Sequence, residues 1–391
     1  MNTDSTRHQA PPHLNRRRLL LSGLGGLGAL ALTGGATWWA RREDAHGPRL
    51  WNSPELGGRV ALPTDGARRG LFASGYDGAV SSLDPGTGAV RWSRTVAVAP
   101  PKDQLDGWQL ANSGGWHLAA GDGVVCVVTT AGVQVLDAAS GNLRWDVPLS
   151  EWSEAPETQG PVVGDGSVLA THGNALHCYE ASTGALRWTG EPGILTLDEG
   201  TVYTAGRDGG LLALDARSGA RRWAQGAVGP VDSPAVVHQG LVHLLHNGPV
   251  PGSAAVTALD AATGRTVWQR GRLPVAGPLS ASGGVLCLLS GTHLMAMDAP
   301  TGDTRWTITV PNGLGRGQSS MTTADGAVYV GTNDDRLFAY DLATGRPLWH
   351  DEPERLRVDS QYTRVFLAAT DSAVYRGTRT GLRALGAPPS A

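Results

Sequence analysis

The chain has 391 residues, 41% of them apolar, with 55 Gly, 24 Pro and 13 Trp against only 7 Tyr and 3 Phe, a composition that suits many short strands joined by turns around a sizeable core. A formal net charge of −3 removes the electrostatic case for nucleic acid as a partner. Three cysteines cannot all pair within one chain, and Cys126, Cys178 and Cys287 each lie inside an apolar run with no Cys-x-x-Cys or other metal-ligand spacing, so they read as small buried residues.

Residues 1–15 are polar; Arg16-Arg17-Arg18 then precedes Leu19 to Ala40, twenty-two residues without a charge. The order positive, apolar, small is that of an export signal, and Asn15-Arg16-Arg17-Arg18-Leu19-Leu20-Leu21 resembles the twin-arginine export motif. The other reading is an uncleaved anchor, because this apolar run can cross a hydrocarbon layer of about 30 Å and Trp38-Trp39 before Arg41-Arg42 suits an interfacial belt. Either reading places the globular part outside the cytoplasmic membrane, extracellular or in the cell envelope. If the segment is kept, residues 19–40 make the membrane contact. The expected organisation is 1–40 signal or anchor, 41–48 linker, 49–386 folded body and 387–391 tail.

From Asp84 onward one eleven-residue phrase returns seven times: Asp84/Gly88/Trp92, Asp137/Gly141/Trp145, Glu180/Gly184/Trp188, Asp215/Gly219/Trp223, Asp260/Gly264/Trp268, Asp298/Gly302/Trp306 and Asp341/Gly345/Trp349. A Ser or Thr precedes every Gly. Internal periodicity outranks length, so the chain is read as one repeat array rather than two or three domains. Successive tryptophans are 53, 43, 35, 45, 38 and 43 residues apart, the size of a four-stranded unit. Upstream of each acid, runs such as Val202-Tyr203-Thr204-Ala205 and Leu211-Leu212-Ala213-Leu214, separated by Gly/Asp turns, predict antiparallel hairpins.

The phrase itself predicts a turn: acid and hydroxyl bond turn amides, and Gly takes the positive φ. The Trp then falls on the outer strand, and four short strands cannot bury an indole alone, so it must pack on the neighbouring sheet. Such sheets close into an all-β propeller. After Trp349 a final half-repeat, Ala373 to Leu385, stops before any such phrase, whereas Trp51 stands alone at the other end. The N-terminal strand is therefore predicted to complete the last blade, giving eight blades of four strands latched by both termini.

The phrase Ala-x-Asp-x-x-x-Gly-x-x-x-Trp, unaltered at Ala213–Trp223, Ala258–Trp268, Ala296–Trp306 and Ala339–Trp349, resembles the tryptophan-docking motif of the pyrroloquinoline-quinone (PQQ) repeat proteins. That resemblance covers residues 47–386 and implies the docking role for Trp51, Trp92, Trp145, Trp188, Trp223, Trp268, Trp306 and Trp349. The family contains quinone-dependent alcohol and glucose dehydrogenases, the lipoprotein subunit of an outer-membrane-protein assembly machinery, and extracellular propellers of bacterial Ser/Thr kinases. This chain has no adjacent cysteines, no haem motif and little room for a roof over a quinone. No catalytic residue, cofactor or metal ligand is carried over, and the expectation is a monomeric binding or scaffolding module with a protein partner or small ligand at the propeller face. The alternative is a dehydrogenase of alcohols or sugars using PQQ with calcium.

Candidate binding residues are the tryptophans outside the docking register, Trp108, Trp116 and Trp152, which serve either as contacts or as loop packing. In the family the innermost strand follows the docking Trp. That selects Gln159, Asp232, Ser233, Gln318, Ser319, Gln361 and Tyr362 as channel-lining groups that hold a ligand or bond channel water. His238, His243 and His246 are the only local histidine group. Side chains three apart on a strand face opposite sides, so His243 and His246 are not expected to share a metal.

Overall fold

The computed structural model describes residues 46–56, 58–63, 70–75, 78–96, 117–129, 131–148, 160–172, 175–206, 210–226, 228–231, 233–274, 276–290, 292–311, 320–324, 326–332, 336–352, 365–378 and 381–388. The blade that holds Trp223 shows how sequence becomes structure. Its strands are Ile194–Asp198, Thr201–Ala205, Leu211–Asp215 and Arg221–Gln225, paired in that order and antiparallel. The first hairpin turns at Glu199-Gly200, both with positive φ (42° and 70°), which matches the right-handed twist of the flanking strands. The last hairpin turns at the repeated phrase.

Eight such four-stranded sheets are present. Their innermost strands, Arg59–Ala61, His117–Gly121, Val162–Gly164, Ile194–Asp198, Val236–His238, Ala276–Ser282, Ser320–Ala324 and Phe366–Ala369, each touch the next, and the last touches the first, so the ring is closed. The fold is an eight-bladed β-propeller, as the repeats predict, and no helix occurs among the described residues, hence none long and apolar enough to cross a membrane. We number the blades 1 to 8 in the order of those inner strands.

The core is not central. Among the described residues there are eight buried apolar clusters, and each draws on two adjacent blades; one joins Val285, Cys287 and Leu294 of blade 6 to Val328, Phe338 and Tyr340 of blade 7. Docking indoles lie within or against these wedges. Burying one removes on the order of 200 Å² from water, at most about 5 kcal/mol per interface at ~25 cal/mol/Å². Blade-on-blade packing is therefore the main source of cohesion.

Blade 8 is assembled from both ends of the propeller: Phe366–Ala369, Ala373–Thr378 and Gly381–Gly386, with Arg49–Ser53 as its outer strand. Trp51 pairs with Ala384 as Trp223 pairs with Ala213. The phrase is in fact present here too, cut in two. Gly386 stands where the acid would be, and its N–H donates to Pro48 O at 2.7 Å just as Asp215 N–H donates to Ala220 O at 2.8 Å. Gly47 lies four residues before Trp51 and takes the motif glycine's place: a Cβ on it would lie 2.6 Å from Trp349, as one on Gly219 would lie 2.7 Å from Trp188.

Candidate functional site

The repeated phrase comes first, because its acid, hydroxyl and indole are the most regular polar groups in the chain. In blade 1, Asp84 Oδ1 accepts from the N–H groups of Gly86 (3.0 Å) and Thr87 (2.9 Å) and from Thr87 Oγ1 (3.0 Å). The Gly that follows each hydroxyl residue has φ of 70° to 73° in all seven copies, a region where other residues are strained. Seven of the docking tryptophans donate the indole N–H to the carbonyl one residue past the motif acid in the next blade, at 2.9–3.1 Å: Trp51 to Pro85, Trp92 to Ala138, Trp145 to Ala181, Trp188 to Ala216, Trp223 to Ala261, Trp268 to Ala299 and Trp306 to Leu342. Trp349 Nε1 is buried without a partner.

Two further devices were not read from the sequence. The ladder between the third and outer strands slips by one residue in every blade, immediately before the docking Trp. Such a bulge re-aims the extra side chain. Where that side chain is Arg, it reaches back to the motif acid: Arg91 to Asp84 (2.7 Å), Arg144 to Asp137 (2.6 Å), Arg187 to Glu180 (3.4 Å), Arg222 to Asp215 (2.9 Å) and Arg305 to Asp298 (2.6 Å). Arg144, helped by Ser140, holds the Asp137 carboxyl down at about 2, and Arg222 with Ser218 holds Asp215 well below the usual range. The second device is aromatic. Phe72, Tyr203, His243, Tyr329 and Tyr375 on the second strand stand 5.7–6.1 Å from the docking indole of their own blade. These groups are consumed in joining blades, and a carboxylate held ionised by Arg is a poor proton acceptor.

Of the candidate residues, Trp108, Trp116, Trp152, Gln159, Asp232, Gln318, Ser319, Gln361 and Tyr362 lie outside the described residues. Ser233 is described: it sits in the connection between blades 4 and 5, and its Oγ is buried with no hydrogen-bond partner. Other inner-strand hydroxyls link neighbours, Thr196 Oγ1 to Ala235 O and Ser280 Oγ to Thr323 Oγ1, both at 2.8 Å. The three cysteines are buried and unpaired, and burial pushes the Cys287 thiol up to about 12.

The histidines do not converge. His243 is fully buried with its ring nitrogens 3.2 Å from Val236 O and 3.0 Å from Ala299 O, whereas His246 contacts Asn247 O and Thr257 Oγ1 and His238 Nε2 accepts the Gly284 N–H. A separate group, missed in the sequence, stands at the hairpin between the second and third strands of blade 3. There His172 stacks on His177 at 3.8 Å, and its Nε2 lies 2.7 Å from Tyr179 Oη. Burial, with His177 beside it, pulls His172 down to about 4, so its ring is neutral at physiological pH. Among the described residues no three His, Cys, Asp or Glu side chains are grouped so as to hold a metal ion.

A cluster of charged side chains marks the seam between blades 7 and 8. Asp351, fully buried at the end of the outer strand of blade 7, accepts from Arg49 Nε (3.0 Å) and Arg383 Nη1 (2.8 Å), with Arg376 Nη1 at 3.4 Å. All three arginines belong to blade 8. Beside it His46 and His350 pair as a parallel bridge with ring centroids 5.0 Å apart.

Comparison with known proteins bears on the family. The profile described as outer membrane protein assembly factor BamB, a PQQ-type repeat profile, matches residues 76–189, 129–250, 190–275 and 252–387. BamB of Yersinia pestis is 25% identical over 299 residues, covering 71% of this chain and 72% of that protein. The serine/threonine-protein kinase AfsK of Streptomyces griseus is 27% identical over 333 residues, 81% of this chain but 37% of the kinase, and the Streptomyces coelicolor AfsK match covers 22% of its kinase. This chain thus spans well under half the length of either kinase. Among solved structures, BamB from Moraxella catarrhalis superposes with a TM-score of 0.64 at 19% identity, over 88% of this chain and 98% of that one, a likeness of fold. With the profile running from residue 76 to 387, the chain belongs to the PQQ-like repeat propeller family that carries the BamB description.

Proposed function

We propose that this chain is a non-catalytic binding scaffold of the cell envelope, a rigid ring that presents its loops and rim to a protein partner. The observation that carries the reading is the fate of the repeated phrase, whose acid, hydroxyl, glycine and indole are used in turns and blade-to-blade bonds. What is left for function is where repeats are interrupted, at the connections holding Trp108, Trp116 and Trp152 and along the inner strands. The envelope location is supported by the Arg16–Arg18 and 19–40 pattern, with 19–40 either removed on export or kept as a tether. A protein partner is supported by the similarity to a protein named an assembly factor.

The test is proximity labelling from the full-length chain in cells, compared with a Trp108→Ala/Trp116→Ala/Trp152→Ala variant. The scaffold reading expects an envelope protein that the parent labels and the variant loses at least tenfold, with the thermal midpoint unchanged. Labelling that is identical in both would overturn the assignment of those connections. A quinone absorbance change with calcium, together with turnover of an alcohol or sugar by the purified chain, would replace the scaffold by the dehydrogenase.

A further inference from the structure

The bulge before each docking Trp leaves two consecutive side chains at the outer edge of the ring, exposed in most blades but half-buried at Arg187, Pro347 and Leu348, the last packed against the core between blades 7 and 8. From blade 8 onward these pairs are Arg49-Leu50, Val90-Arg91, Leu143-Arg144, Leu186-Arg187, Arg221-Arg222, Thr266-Val267, Thr304-Arg305 and Pro347-Leu348. Leu50, Val90, Leu143 and Leu186 are 50%, 51%, 55% and 54% exposed, and they fall on four successive blades, 8, 1, 2 and 3. Among the described residues the other exposed large apolar side chains are Val250 and Val267, both in blade 5. One exposed aliphatic residue is ordinary; Val90, Leu143 and Leu186 hold the same position, two before the docking Trp, in three successive blades where the other blades carry Arg, Thr or Pro, and Leu50, one position later, extends the row into blade 8, so that together they mark a surface. Beside three of these residues the bulge arginine is paired with its motif acid, so the arc carries little unpaired charge.

The chain itself indicates what covers the arc. Its described part begins at His46, against His350, one residue before Gly47 seats under Trp349 and four before Leu50. Only residues 41–45 separate that point from the uncharged run 19–40. Five residues reach at most about 18 Å. With 19–40 retained in a bilayer, the rim of blade 8 is held within about that distance of its surface, and the aliphatic arc starts at that attachment and runs away from it on one side. The headgroup boundary accepts aliphatic side chains to a depth of about 5–10 Å. A protein partner would not require the arc to begin where the tether arrives.

We infer that the outer rim of blades 8, 1, 2 and 3 rests on the lipid surface to which residues 19–40 tether the ring, with Val90, Leu143 and Leu186 inserted at the headgroup boundary. This rests on the retained-anchor form of the envelope reading. The test uses the full-length chain in phosphatidylethanolamine/phosphatidylglycerol vesicles. Single cysteines are placed by Val90→Cys, Leu143→Cys or Leu186→Cys, and at the equivalent positions across the ring by Arg221→Cys or Thr304→Cys. Because the three native cysteines are buried, an environment-sensitive fluorophore reports only the new site. Quenching by nitroxide-bearing lipid should be at least threefold greater at 90, 143 and 186 than at 221 and 304, and serine at the other two arc positions should reduce it. Equal quenching at all five sites with the chain floating with the vesicles overturns the rim contact alone. A chain that does not float with vesicles overturns the tether, and the rim contact with it.

Discussion

The interface between blades 3 and 4 and the seam between blades 7 and 8 do the same job with different chemistry. At the first, everything is local: Trp188 donates to Ala216 O, Gly219 lies under the indole, and Asp215 shapes the turn with Arg222 to neutralise it. At the seam the phrase is severed by the chain ends. Gly386 replaces the acid, Leu50 replaces the bulge arginine, and Trp349 has no acceptor, while Gly47 still lies under its ring. Asp260 and Asp341 keep their turn bonds with Val267 and Leu348 in the arginine's place, whereas at the seam acid and arginine are both absent. In their place stands Asp351 with Arg49, Arg376 and Arg383, a cluster joining residues about three hundred positions apart. A continuous chain can hold a turn with exposed groups because the turn is already nearly formed. Two ends that must find each other need contacts that are long-range and desolvated.

The strongest way to break the comparison is to remove the N-terminal half of the seam. Deleting residues 47–55 takes away Trp51, Gly47 and a whole strand, and should cost at least about 5 kcal/mol or open the ring; an unchanged urea midpoint would refute closure by the termini. Next comes Asp351→Ala. It takes the buried carboxylate away from two buried guanidinium groups, Arg376 and Arg383, and breaking a buried pair from one side costs about 3–5 kcal/mol. Asp215→Ala at a regular turn removes a half-exposed pair worth at most about 1 kcal/mol and exposed turn bonds from Ser218 whose net loss adds about 1 kcal/mol. Urea unfolding at constant slope reads both, and equal losses would mean that the seam is not electrostatically distinct.

The fold was legible because the phrase couples local and long-range demands: Asp, Thr and Gly specify a turn, and Trp four residues later must leave its own sheet to be buried. Closure was legible from the half-repeats at the ends, whose Trp51 and Leu385 complete one sheet. What escaped was whatever does not repeat or does not show as a pattern of residue types. Gly47 could not be recognised as a motif glycine because its acid has become Gly386 at the other end of the chain. The bulge is invisible in spacing, so Arg91, Arg144 and Arg187 read as ordinary strand residues, although an Arg before the Trp in five of the seven intact phrases was the available signal. Asp351 with its arginines and the stacked His172–His177 pair are brought together only by pairing across strands. Trp108, Trp116 and Trp152 were chosen for interrupting the repeat and the seven polar residues for following a docking Trp, and nine of these ten lie outside the described residues.

The smallest expected effect is the most specific. Trp92 and Trp349 are buried to nearly the same extent, 8% and 5% exposed, so replacing either by Phe removes similar apolar contact. They differ in one bond. Trp92 Nε1 donates to Ala138 O at 3.0 Å, and Ala138 is fixed by its own N–H to Gly123 O at 3.0 Å. At the seam Ala387 makes the matching bond to Ser372 O at 2.9 Å, yet Trp349 Nε1 stays unpaired. A net hydrogen bond contributes roughly 0.5–1.5 kcal/mol, and a buried donor without a partner carries a desolvation cost that Phe removes. Trp92→Phe should therefore destabilise by about 1 kcal/mol more than Trp349→Phe in paired urea titrations. Equal costs would show that the seam indole finds an acceptor in solution, and that closure restores the regular interface rather than substituting for it.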